Sequence, residues 1–179
     1  MQFPDLSTIA NLAVRWAMLL FFVVEILVLV YLNPNHHLST IQDSDERDKM
    51  TSRATQQRGR ALAIASITFA GVAVIVSSSN QPEGIGAVLD VFGIAFSFLL
   101  VSFMSKTLIQ TKRIWSLIQE TTLEYGALYL FLSIVLLYHT YVSFPIILVG
   151  GFVIAFALRL YAVRKEAEAY YKMPSGTDE

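Results

Sequence analysis

Four charged side chains interrupt otherwise apolar stretches of this chain: Arg15, Glu25, Asp90 and Arg159. Each falls in a run that reads as a membrane span, where such a group costs several kcal/mol unless it is paired, protonated or hydrated. Glu25 bears that cost most heavily, because it lies about 5 Å from the centre of its run. Arg15, Met18, Phe22, Glu25 and Leu29 follow a three-four spacing, so the arginine and the glutamate share one seam of a helix. They stand ~15 Å apart along that axis, too far to pair with each other. Depth counted from the ends of the spans instead matches Arg15 with Asp90. It also matches Glu25 with Arg159, across an offset of roughly 5 Å that a long arginine covers. Two such pairs can fix helix order by neutralising each other. Alternatively, they form an ion or proton pathway with Glu25 as the titratable gate. In a third arrangement the other three charges snorkel to water and Glu25 is simply protonated.

The elements that must hold these charges follow from composition. Of 179 residues, 55% are hydrophobic and 15% charged, where a soluble domain carries roughly 25% charged residues. The mean hydropathy is +0.56. One large core does not explain the deficit, because a domain of this length still exposes about 30% of its chain surface. The expected class is all-α: a single polytopic membrane domain with five transmembrane helices, near 12–32, 61–79, 86–105, 122–139 and 143–162. Each approaches the ~20 apolar residues that a crossing needs. Pro4, Pro34, Pro82, Pro145 and Pro174 fall in loops, tails or a first helical turn, where a missing N–H costs little. The first run lacks a basic flank before it and a small-residue cleavage site after it, so it reads as a retained span.

Orientation follows from the cations. Arg47, Lys49, Arg53, Arg58 and Arg60, then Lys106, Lys112 and Arg113, then Arg159, Arg164, Lys165 and Lys172 make twelve of the thirteen lysines and arginines. All twelve lie on one side of a five-span chain, which places the N-terminus outside and the C-terminus in the cytoplasm of a cell-membrane protein. Residues 43–60 are polar and free of proline, with Asp43 and Glu46 at capping-box spacing. They are expected to extend the second span into the cytoplasm, with Gly59 as a weak hinge. Residues 106–119 set Leu108, Trp115 and Ile118 beside Lys106, Lys112 and Arg113. They are expected to form an interfacial amphipathic helix between spans three and four, with Thr121 and Glu124 capping a new start.

The second span is small on one side, with Ala63, Ser66, Ala70, Ala73 and Ser77 recurring every three or four residues. Small residues let helices approach closely where water cannot drive association. The stripe therefore packs within the bundle, or it lines a pore around an oligomer axis. In the pore version Ser66, Ala70, Ala73 and Ser77 face the lumen, and Arg60 joins Arg53 and Arg58 around a cytoplasmic vestibule. Residues 77–80 and Glu83 would form its polar outer mouth.

No cysteine is present, which removes disulfides, thiolate metal sites and cysteine nucleophiles. A formal charge of −1 argues against nucleic acid as a partner. His36, His37 and His139 lie at or beyond the ends of apolar runs, where a bis-histidine haem is not expected, and the adjacent pair reads as solvated. Phosphate loops, zinc motifs and nucleophile elbows are missing, so no cofactor or metal is implied. The expected function is ion transport by a homo-oligomeric channel or a proton- or ion-coupled unit, in contact with lipid and with itself. The alternative is a non-catalytic membrane subunit that docks a cytoplasmic protein through 43–60 and 163–179. A lipid enzyme gathering Glu120, Glu124, Arg113 and His36/His37 at the interface is the least favoured reading, for want of a nucleophile or metal spacing.

Overall fold

The computed structural model describes residues 6–32, 34–41, 44–77, 84–109, 112–141 and 146–172. They form α1 (Leu6–Leu32), a single turn α2 (Pro34–His37), α3 (Ser44–Ser77), α4 (Ile85–Ile109), α5 (Ile114–Tyr141) and α6 (Ile146–Lys172). The described residues are all-helical apart from one isolated bridge, Thr40 to Lys112. Within them four stretches are long and apolar enough to cross a membrane: Val14–Leu32, Ser44–Ser77, Ile85–Ser105 and Ile114–Tyr138. This is the architecture of a membrane protein.

The most closely packed pair is α4 with α5; α3 lies on α4, while α1 and α6 lie on α5 and on each other. Val91 and Ala95 of α4 meet Tyr125, Leu128, Tyr129 and Leu132 of α5, and Met18 of α1 joins them. Gly126 makes the α4–α5 approach possible: a Cβ there would sit 3.0 Å from the Leu99 side chain and 3.4 Å from the Ala95 carbonyl oxygen. Close backbone approach of this kind is what holds helices together in lipid, where apolar burial supplies little driving force. Gly84, at φ +86°, turns the chain into α4 and accepts a hydrogen bond from the Ala87 N–H. That backbone angle is readily available to glycine and strained for other residues.

Several expectations change. The interfacial helix between the third and fourth spans does not exist as a separate element. Residues up to Ile109 belong to α4, and α5 runs unbroken from Ile114 through Thr121 and Glu124. The Thr-x-x-Glu pattern is no cap here, because backbone N–H groups inside a continuous helix already have their partners. Helix α5 starts instead where the Ser116 N–H reaches the Arg113 carbonyl. Its first turns are pinned by tertiary hydrogen bonds: Gln119, wholly buried, donates from Nε2 to the Ala54 carbonyl at 3.2 Å, and Ser102 Oγ donates to the Gln119 carbonyl at 2.9 Å. Residues 44–60 do continue the second span, without a break at Gly59. It does not stand free, because Ala54 is buried and Glu46 pairs with Arg113.

The α3 stripe is also placed differently from a bundle seam. Ala54, Ala61 and Thr68 form the buried face of α3. Ala63, Ser66, Ala70, Ala73 and Ser77 are exposed on the opposite side, and Arg60 is exposed as well. Arg58 is exposed too, and its guanidinium lies 4.2 Å from the centre of the Phe103 ring on α4, a cation–π contact. His37 is buried rather than solvated. The tail expected from residue 163 continues α6 as far as Lys172. Asp43, residues 78–83 and the end of the tail lie outside the described residues.

Candidate functional site

Glu25 reaches the bundle interior because it shares the buried stripe of α1 with Met18 and Leu29, spaced seven and four residues away and thus on one helical face. Its side chain is 4% exposed and forms an ion pair with Arg159 of α6. The same guanidinium, 14% exposed, spans to Glu124 of α5 through its other terminal nitrogen. Tyr125, the next residue on α5, donates its phenolic O–H to Glu25 Oε2 at 3.1 Å. Three helices thus converge on one arginine. Glu25 alone supplies acceptors to two of them.

Two carboxylates, one from α1 and one from α5, thus meet the same guanidinium from α6. Glu124, 40% exposed, is the member that faces outward, and Glu25 is the sealed one.

The second pair is built differently. Arg15 Nη1 lies 3.5 Å from Asp90 Oδ2, and its Nη2 donates to the Ala87 carbonyl at 2.8 Å. Arg15 is 12% exposed and Asp90 is 73% exposed. One turn of α1 is tied in again by Tyr129, whose O–H donates to the Arg15 carbonyl at 2.7 Å. Between the two charge sites stands an aromatic layer. The Phe22 ring packs edge-on against Phe98 at 4.8 Å and Tyr125 at 5.3 Å, and Phe98 stacks on Tyr129 at 5.5 Å.

Depth arithmetic on the sequence pairs Arg15 with Asp90 and Glu25 with Arg159, and the structure brings both pairs together. It does not gather Ser66, Ala70, Ala73, Ser77 and Arg60 with them; those lie on the far face of α3. Nor do Arg113 and Glu124 meet, since Arg113 engages Glu46 and Ser39. Sequence reading missed three members: Glu124 as part of the cluster, Tyr125 and Tyr129. The signal was available in Glu124-Tyr125 followed four residues later by Tyr129, polar atoms at consecutive turns of an otherwise apolar run. Among the described residues no group of three metal-ligating side chains occurs. Comparison with protein-family models, curated proteins and solved structures finds no match for this chain.

Proposed function

We propose that this chain is a small multi-pass transport protein, coupled to proton or ion movement, with Glu25, Arg159, Glu124 and Tyr125 as its titratable centre. The observation that carries this reading is the single guanidinium between two carboxylates within apolar helices. An intramembrane ionisable group is retained at a cost that function can explain. In this reading α6 is a fifth crossing, the N-terminus is outside, and the charged start of α3 and end of α6 are cytoplasmic, as the cation distribution requires. Glu25 loads and unloads a proton as Arg159 shifts toward or away from Glu124. The outward-facing stripe of α3 supports self-association, with Ser66, Ala70, Ala73 and Ser77 at the contact or lumen.

The test is proton flux into proteoliposomes under an imposed potential, with the particle mass measured in parallel. Glu25→Gln should abolish coupled flux while leaving mass and helicity intact. Equal flux in mutant and parent removes Glu25 from the mechanism.

A second reading, a non-catalytic subunit of a larger assembly, is favoured by the exposed charged surface at Arg53, Arg164 and Lys165. Affinity purification from the native membrane separates the two. A stoichiometric partner supports the subunit, and a lone homo-oligomer supports transport.

A further inference from the structure

We propose that the lateral groove between α1 and α4 is a binding site for a lipophilic cation that enters from the hydrocarbon phase. Both helices pack on α5, yet they splay from each other and leave an open cleft of about 1040 Å³. That volume is at the upper end of the range that small-molecule sites occupy. The cleft extends ~17 Å along α1, from Arg15 to Ile26. Its walls are apolar and aromatic, with Trp16, Phe22 and Phe98 among them, and Gly93 opens the α4 side. A Cβ built at Gly93 meets no atom within 4 Å.

Both halves of the ion pair line the cleft, and the sign of the ligand follows from which of them is the more accessible. Arg15 is 12% exposed, its terminal nitrogens directed to Asp90 and to the Ala87 carbonyl. Asp90 is 73% exposed, so the polar surface at this end of the cleft is dominated by a carboxylate. Aromatic faces below it attract cations as well, by up to about 2 kcal/mol where water is excluded. An apolar body in the groove with its positive charge at Asp90 satisfies both walls. An anionic amphiphile of the same shape meets the carboxylate and finds the guanidinium already engaged. This assignment does not depend on whether Glu25 moves a proton.

The test is equilibrium dialysis of the purified, detergent-solubilised protein with radiolabelled tetraphenylphosphonium. Tetraphenylborate, of matched size and opposite charge, is measured in a separate dialysis, because the two ions precipitate as a salt when mixed. Saturable binding of the cation is expected, and none of the anion. Asp90→Asn should weaken it about tenfold or more, a loss of ~1.4 kcal/mol. Gly93→Leu should abolish it by filling the cleft, and Ser97→Leu provides a second block if the first variant fails to keep its circular dichroism and elution volume. Non-saturable uptake, equal affinity for tetraphenylborate, or unchanged binding in both folded leucine variants would overturn the assignment. So would a co-purifying phospholipid that excludes the probe, which would make the groove a lipid site.

Discussion

The two ion pairs that tie α1 to its neighbours use the same chemistry in opposite surroundings. Arg15–Asp90 sits at one end of the bundle with its acid exposed. Glu25–Arg159 is enclosed by α1, α5 and α6, and Glu124 adds a second acid to the same arginine. A pair with an exposed acid contributes little, because water solvates that acid when its partner is lost and Arg15 keeps the Ala87 carbonyl. An enclosed pair leaves a bare charge behind when it is broken. The difference teaches that helix order and function need not draw on the same pair. Arg15 ties α1 to α4 and, through its carbonyl, to Tyr129 of α5. The Glu25 cluster joins α1, α5 and α6 through one guanidinium and the Tyr125 hydroxyl.

The largest effect should come from breaking the enclosed cluster at its cation. Arg159→Met removes the shared cation from Glu25 and Glu124, and a loss of about 3–5 kcal/mol is expected, read from denaturant unfolding in mixed micelles. Adding Glu25→Gln to Arg159→Met should restore part of that stability. No recovery in the double variant would mean that Arg159 acts through packing alone.

The next effect is steric. Gly126→Val drives a branched side chain into Leu99 and Ala95 of α4, and about 1–3 kcal/mol should be lost. Because Gly126 lies on the α4–α5 seam that carries Tyr125 and Tyr129, this variant should loosen both charge sites together. Helix separation measured by spin labels on α4 and α5 checks it.

Asp90→Asn should change stability by less than about 1 kcal/mol, in contrast to Arg159→Met. A larger loss would show that the exposed pair is as structural as the enclosed one, and the comparison would fail.

The smallest effect belongs to Glu168 on α6, which hydrogen-bonds Lys165 and Arg164. Those two cations hold its carboxyl below the usual range. A group whose folded value is depressed adds stability above its unfolded value and loses it as pH falls through the folded one. Any contribution is therefore present at neutral pH and gone in acid. For a surface side chain paired only along its own helix, Glu168→Gln should leave the unfolding midpoint unchanged within error at pH 7.

Much of this was legible beforehand. The periodicity and length of the apolar runs announce the helices, since lipid leaves the backbone no hydrogen-bonding alternative. The three-four spacing from Arg15 to Leu29 sets Glu25 on a seam, and axial rise then selects Asp90 and Arg159 as partners by depth. Residues 106–119 misled for a physical reason. An amphipathic stripe reads the same whether its apolar side meets lipid or another helix, and here Gln119 and Ser102 hold it against α3 and α4. The small stripe of α3 is ambiguous in the same way, because close packing and lipid exposure both tolerate alanine and serine.

What the chain determined by itself is one-dimensional: which segments are helical, which charges lie at which depth, and which residues share a face. These depend on rise per residue and on local solvation, and both can be counted along a sequence. The tertiary structure decided the azimuth of each helix about its neighbours. That rotation made Glu124 and Tyr125 companions of Glu25, turned the α3 stripe outward and opened the cleft between α1 and α4. It depends on the summed fit of side chains from several helices, with Gly126 against Leu99 among the closest, and no single segment contains that sum.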